Sequence, residues 1–195
     1  MHIEFLVEEL SAEKALRCLL PALLPDEVTF EIHAHRGKPD LLSKLSGRLA
    51  GYASWIPEDW RICILVDQDK DNCLELKRCL VDTAKQAGIR ALVRIAVEEL
   101  ESWFFGDPLA VHQAYPRVSP TFADKAKYRN PDAIRGGTSE ALERELQRAQ
   151  YYKGGLPKSQ VAHDIARFMD PARNRSKSFQ VFRDGLQALL TSWGS

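Results

Sequence analysis

Short apolar runs alternate with amphipathic segments along the first half of the chain. The apolar runs cover residues 3–7, 28–32, 62–66 and 91–97. The run at 62–66 is apolar throughout, as is typical of a strand buried on both faces of a parallel sheet. The run at 28–32 alternates with polar residues and predicts a strand with one exposed face, near an edge. Strands that alternate with helices predict an α/β fold with a mainly parallel, four-stranded sheet and right-handed crossovers.

The strand pattern stops after Asp107. Residues 112–135 are largely irregular and locally basic, and helical spacing returns at 139–150, 159–169 and 176–190. No long Gly/Ser/Pro-rich linker separates the two halves. We therefore predict an α/β core over residues 1–107 and a helical extension over 108–195, packed together as one compact unit.

Composition narrows the class of protein. A chain of 195 residues is long enough for one domain with a proper core. Its 27 basic and 27 acidic residues cancel, so a nucleic-acid partner would need a local basic patch. The four cysteines lack C-x-x-C spacing, which is typical of reduced thiols in an intracellular protein. With neither a signal peptide nor an apolar run of membrane-spanning length, a cytoplasmic location is expected.

Carboxylates follow two of the predicted strands. Asp67, Asp69 and Asp71 begin where the central apolar run ends, and Glu8 follows the first run in the same way. The carboxyl ends of parallel strands share one edge of a sheet, where α/β proteins bind ligands, so these acids are expected to meet. Oxygen ligands of this kind suit Mg²⁺ or Mn²⁺. The alternative interpretation of the three aspartates is an acidic turn that caps the next helix.

Two further groups of residues are candidate metal ligands. Glu98 and Glu101 follow the fourth strand and are candidates to complete the shell of a second metal ion. They are explained equally well as the acidic first turn of a helix, where the helix dipole favours negative charge. His33 and His35 on one strand, with Cys63 on another, raise zinc as an alternative, although histidines on a strand are more often surface or core residues.

Basic and hydroxyl side chains are candidates for binding substrate phosphates. Segment 125–129 interleaves basic residues with a tyrosine, a pattern suited to a nucleic-acid backbone. Segment 173–178 leads into a predicted helix, whose N-terminus favours an anion. Both segments are also explained as solvated faces. The candidates are Lys38, at a βα turn, with Lys125, Lys127, Arg129, Arg173, Arg175, Ser176 and Ser178.

The acidic motifs resemble those of the Toprim superfamily, which includes topoisomerases, bacterial primases and OLD-type nucleases. In that family a glutamate ends the first strand and an Asp-x-Asp pair ends a later one; Glu8 matches the glutamate, and Asp67 with Asp69 match the pair. Glu9 stands where Toprim proteins usually have glycine. Over nearly the whole chain, the sequence is similar to a bacterial Toprim-like family described as a domain of unknown function. The shared motifs are IAVEELESW (residues 95–103), KYRNPD (127–132) and NRSKSF (174–179).

The resemblance implies a Toprim-like, Rossmann-like core and a Mg²⁺-dependent phosphodiesterase or nuclease that acts on nucleic acid, in bacterial defence or repair. Glu8, Asp67 and Asp69 would be catalytic, with Asp71 as a further ligand. A second hypothesis is a non-catalytic Toprim-like module that binds a partner or a nucleic acid. A third is a phosphatase or receiver-like domain with Asp67 as nucleophile. The sequence has no Walker A loop, so an ATPase of the OLD type would be a separate partner chain.

Overall fold

Four parallel strands form the central sheet of the computed structural model, which describes residues 1–191. The strands are β1 (His2–Val7), β2 (Thr29–Ala34), β3 (Trp60–Asp67) and β4 (Ala91–Ala96). Their order across the sheet is β2-β1-β3-β4, and each neighbouring pair is parallel. The predicted α/β fold with a mainly parallel, four-stranded sheet is therefore confirmed.

The position of each strand follows from its pattern of apolar residues. β3 lies between β1 and β4, and its residues 62–66 are all buried. β2 lies at an edge, and of its residues only Ile32 is buried. The alternating pattern at 28–32 therefore predicted an edge strand correctly.

Strand register brings the ends of three strands to the same edge. Val7 at the end of β1 lies beside Leu65, and Asp67 at the end of β3 lies beside Ala96 at the end of β4. Glu8, the residue after β1, therefore reaches the edge at which β3 and β4 also end. This is the edge at which open α/β sheets bind ligands.

Helices flank the sheet and make up most of the second half. The helices that follow the first three strands are α1 (Leu10–Leu23), α2 (Lys38–Ala53) and α3 (Cys73–Gln86). After β4 come α4 (Ser102–Gly106), α5 (Pro108–Ala114), α6 (Thr138–Arg148), α7 (Lys158–Ala166) and α8 (Lys177–Thr191). Short 3₁₀ turns occupy Phe122–Asp124, Ala126–Tyr128 and Pro131–Ala133, in the segment predicted to be largely irregular.

The sheet separates two hydrophobic clusters, because successive strand side chains point to opposite faces. Leu6, Ile64 and Val66 face the cluster that α2 and α3 cover. Leu65 lies in the other cluster, which α1 shares with helices of the second half, including Trp103 of α4. The two halves of the chain thus share a core. Residues 192–195, the end of the predicted extension, lie outside the described residues.

The described helices and cysteines bear on membrane association and redox state. Among residues 1–191, no helix combines the length and the apolar character needed to cross a membrane. All four cysteines are free thiols. Cys63 is fully buried in β3, and this burial raises the pKa of its thiol to about 12, so the thiol stays protonated at neutral pH.

Candidate functional site at the carboxyl edge of the sheet

Glu8 and Asp67 meet at the carboxyl edge of β1 and β3. The backbone N–H of Asp67 donates a hydrogen bond to the Glu8 carboxylate, with 3.1 Å between nitrogen and Oε2. Burial raises the pKa of Glu8; the hydrogen bond from Asp67 and the charge of Lys38 oppose this shift, and the charge of Asp69 adds to it. The structure therefore brings together two acids that are 59 positions apart in the sequence.

Lys38, at the first position of α2, lies among the acids on the α2 side of the edge. Its ammonium nitrogen is 2.8 Å from Oδ2 of Asp69 and from Oδ2 of Asp71, and it donates to the Gln68 carbonyl oxygen at 3.1 Å. An ammonium group has three donors, so these contacts use all of them. Burial would lower the pKa of Lys38, but the hydrogen bonds to both aspartates outweigh it and raise the pKa. Lys38 therefore stays charged and neutralises part of the acidic edge.

Asp67 lies close to several other acids and is partly buried. Burial raises the pKa of Asp67 well above its usual value, and the charges of Glu101 and Glu8 raise it further. Over residues 1–191, no donor forms a hydrogen bond with the Asp67 carboxylate. A bound cation would stabilise the charged form of this carboxylate, which has no donor among the described residues and lies near other negative charges.

Glu101 is a second buried acid at this edge, and its side chain is only 2% exposed. Burial raises its pKa to about 7, the charge of Lys158 on α7 opposes the shift, and the charge of Glu99 adds to it. In the folded protein Glu101 therefore changes its charge near neutral pH.

Stability is expected to fall as pH rises towards 7 because Glu101 ionises at its ordinary value of 4.5 when unfolded but at about 7 when folded. The Glu101→Gln variant lacks this charge and is expected to be more stable than wild type by about 1–3 kcal/mol at pH ~8. Urea unfolding in EDTA between pH ~4.5 and ~8 measures the difference. Glu58→Gln, at an exposed position before β3, is the control. A Glu101→Gln protein no more stable than wild type at high pH would contradict this assignment.

Lys158 is a site residue that sequence analysis missed. It begins α7, in the second half of the chain, yet the acids of the first half act on its charge. Burial would lower the pKa of Lys158, but Glu101 and Glu9 outweigh that effect and raise it. Its position after Pro157, at the start of a predicted helix, was visible in the sequence, but its proximity to Glu101 depends on how the two halves pack.

The loops after β3 and β4 are joined by backbone hydrogen bonds. The Asp69 N–H donates to the Glu98 carbonyl oxygen at 2.8 Å, and the Gln68 N–H donates to the Ala96 carbonyl oxygen at 2.8 Å. Asp69 has φ of 51° and Glu98 has φ of 62°, so both adopt a left-handed conformation that non-glycine residues rarely take. Such strain concentrates at functional sites, where surrounding structure maintains it.

The interpretation of Glu98 as part of an acidic first helical turn is wrong. α4 begins at Ser102, and the positive φ of Glu98 is incompatible with a right-handed helix. The neighbouring Glu99 instead caps α6: its carboxylate accepts from the Thr138 hydroxyl at 3.0 Å and from the Ser139 N–H at 2.8 Å.

Five of the six predicted metal ligands lie in two sets. The set near Lys38 contains Glu8, Asp69 and Asp71, and the set near Lys158 contains Asp67 and Glu101. Glu98 contributes its backbone oxygen to the loop contact. In the described part of the chain, no three Asp, Glu, His or Cys side chains are already arranged as a metal site. The donor chemistry nevertheless fits Mg²⁺, because the Glu8 carboxylate contacts the backbone of Asp67, its charge acts on the Asp67 carboxylate, and the Asp67 carboxylate has no hydrogen-bond donor among residues 1–191.

The histidines of the zinc alternative have other partners. His33 Nε2 contacts a carboxylate oxygen of Glu4. His35 Nδ1 lies 2.9 Å from the Val7 carbonyl oxygen. His33 lies in β2, whereas His35 follows the end of that strand, so the prediction that both histidines lie on one strand is wrong for His35.

Most of the predicted phosphate-binding cations are paired with carboxylates. Arg173 forms a two-pronged ion pair with Asp107, at 2.8 Å and 2.9 Å. Glu145 lies 2.6 Å from the ammonium of Lys125 and 3.8 Å from that of Lys127. A further pair joins Arg175 to Asp124 at 3.9 Å. Arg129 lies at the end of the second 3₁₀ turn.

The predicted anion site before α8 contains a carboxylate of the protein itself. Asp132 accepts hydrogen bonds from the hydroxyl groups of Ser176 and Ser178, at 2.7 Å and 2.9 Å. It also accepts from the backbone N–H of Lys177 at 2.5 Å. The motif does bind an anion at a helix N-terminus, and in this structure that anion is Asp132.

Fold and site together define an α/β protein with a lysine-bridged acidic crevice at the carboxyl edge of a parallel sheet. The chain belongs to the family described as Domain of unknown function (DUF4276), which matches residues 7–187. The match begins at the end of β1 and runs into α8, so it includes both Glu8 and Lys158. Neither a curated protein nor a solved structure matches the chain.

Proposed function

We propose that the protein is a Mg²⁺- or Mn²⁺-dependent phosphodiesterase of the Toprim type that cleaves nucleic acid, in bacterial defence or repair. The observation that carries the proposal is the hydrogen bond from the Asp67 backbone N–H to the Glu8 carboxylate. Both acids lie where two neighbouring parallel strands end, at the ligand-binding edge. The four free cysteines agree with a cytoplasmic location.

Each acid has a role in the proposed reaction. Glu8 and Asp67, with Asp69, would hold the cation, and Mg²⁺ bound there supplies positive charge that stabilises the oxygens of the reacting phosphate. Burial also raises the pKa of Glu8. A higher pKa makes the carboxylate a stronger base, which accepts a proton from the attacking water more effectively. Lys38 fixes the loop that carries Asp69 and Asp71.

The second candidate function is a non-catalytic Toprim-like module that binds nucleic acid or a partner chain, such as a separate ATPase. It is favoured by Lys38, which neutralises Asp69 and Asp71 without a metal ion. Glu9, in place of the usual Toprim glycine, also adds a side chain beside the proposed site.

A cleavage assay separates the two functions. End-labelled single-stranded and double-stranded DNA and RNA are incubated with wild type in Mg²⁺, Mn²⁺ or EDTA. Cleavage is expected with either metal and not in EDTA, and Glu8→Gln is expected to reduce the rate by at least about 100-fold. The matched control, Glu58→Gln at the opposite edge, is expected to retain the rate. Binding of nucleic acid by wild type without cleavage under any divalent ion would instead support the non-catalytic module.

A further inference from the structure

A cavity of about 510 Å³ opens beside the acidic crevice. Three chain segments line it: residues 9–11 at the start of α1, residues 35–37 between β2 and α2, and residues 156–159 at the start of α7. Glu9 on its wall is the residue next to Glu8, so the cavity adjoins the proposed cation-binding site. The volume is within the range of about 300–1,000 Å³ that is usual for small-ligand pockets.

Two cations on the wall of this cavity are available to bind an anion. In residues 1–191, neither the Arg36 guanidinium nor the Lys158 ammonium forms a side-chain hydrogen bond or an ion pair within 4 Å. Lys125 and Arg173, in contrast, lie within 2.8 Å of a carboxylate oxygen. One carboxylate, Glu9, is also on the wall, and it accepts a hydrogen bond from the Ser11 hydroxyl at 2.6 Å. On the wall itself, two cations face this one carboxylate, while Asp67, Glu99 and Glu101 of the adjoining acidic crevice also act on the charge of Lys158.

The turn that carries Arg36 is fixed to the sheet edge. The Gly37 N–H donates to the Glu8 carbonyl oxygen at 2.9 Å, and the Arg36 N–H donates to Asp40 Oδ2 at 3.1 Å. Gly37 has φ of 90°, a conformation that favours glycine. Arg36 is thus held next to Glu8 by backbone contacts, while its charged group remains exposed.

We propose that this cavity binds the sugar–phosphate backbone of a single nucleic-acid strand beside the bond to be cleaved, with Arg36 and Lys158 each contacting a phosphate. This inference rests on the proposed function, and it specifies the substrate as a single strand of nucleic acid. The volume of about 510 Å³ suits a short stretch of one strand, and a duplex is expected to bind more weakly. Among residues 1–191, no Phe, Tyr or Trp lines the cavity for base stacking, so we expect recognition to rest on phosphate charge and to be independent of base sequence.

Binding of a fluorescein-labelled oligothymidylate of about 12 nucleotides, followed by anisotropy in EDTA at several salt concentrations, tests the proposal. The double variant Arg36→Ala/Lys158→Ala is expected to bind at least about tenfold more weakly than wild type. For a single strand, the plot of log binding constant against log salt concentration changes in slope by about 0.7 for each phosphate that the protein neutralises. Loss of two such contacts is therefore expected to reduce the magnitude of this slope by about 1.4. Mn²⁺ binding by the single variant Arg36→Ala is expected to be retained.

The control is Lys85→Ala/Arg90→Ala, which removes the same charge where α3 ends and β4 begins, at the opposite edge. Equal affinity and slope in wild type and Arg36→Ala/Lys158→Ala would overturn the proposal, as would an equal loss in the control. Failure of wild type to bind the oligonucleotide, or an equal loss of affinity for a duplex, would also overturn it. A third outcome is that Arg36→Ala/Lys158→Ala alone loses affinity for the single strand, but wild type shows no metal-dependent cleavage. This outcome would support the binding site and refute the proposed nuclease activity.

Discussion

The Asp67→Asn variant is expected to lose metal-dependent cleavage by about 10²–10³-fold and yet to unfold less readily than wild type in EDTA. The first effect follows because asparagine lacks the negative charge that would hold the cation. The second follows because burial and neighbouring acids raise the pKa of Asp67, so its charge opposes folding. The two changes in opposite directions would indicate a residue retained for function at a cost in stability.

Cleavage rates in Mn²⁺ and urea unfolding in EDTA measure the two effects of this substitution. Asp82→Asn, on the exposed surface of α3, is the matched control and is expected to change neither quantity. An Asp67→Asn protein that cleaves at the wild-type rate would refute the catalytic role. Lower stability of Asp67→Asn in EDTA would contradict the electrostatic account of this position.

The Asp107→Ala variant is expected to lose about 3–5 kcal/mol of the free energy of unfolding. Asp107 is fully buried, and its carboxylate accepts two hydrogen bonds from Arg173 and one from the Asp170 N–H at 2.9 Å. It also accepts from the Ala110 N–H at the start of α5. Alanine would leave the Arg173 guanidinium without its buried partner and the Asp170 N–H without an acceptor.

Urea unfolding measures this loss, with Asp184→Ala as the control. Asp184 is exposed and forms an ion pair with Arg183 at 2.8 Å, so its removal is expected to change stability by about 0.5 kcal/mol or less. A loss below about 1 kcal/mol in Asp107→Ala would contradict a large stabilising role for the Asp107–Arg173 ion pair.

Apolar periodicity predicted the sheet because burial imposes it directly. The continuous run at 62–66 became the central part of β3, and the alternating run at 28–32 became the edge strand β2. The proximity of Glu8 to Asp67 could also be predicted from the sequence, since parallel strands end at one edge of the sheet. Each of these inferences needs only the local pattern and a general rule of sheet geometry.

The sequence could not predict which charged residues are partners at the site. Lys38 was identified as a phosphate-binding candidate, but its contacts with Asp69 and Asp71 depend on how α2 docks on the sheet. Lys158 reaches the site only because α7 packs against α1. Sequence spacing identifies which residues carry charge, whereas tertiary packing decides which opposite charge each of them meets.

Titration with Mn²⁺, followed by the loss of the free-ion electron paramagnetic resonance signal, most directly tests whether Glu8 and Asp67 share a cation. We expect saturable binding in wild type, its loss in both Glu8→Gln and Asp67→Asn, and no further loss in the double variant, because one ion needs both carboxylates. Wild type without saturable binding, or a site that survives intact in either single variant, would contradict a shared cation at this edge of the sheet.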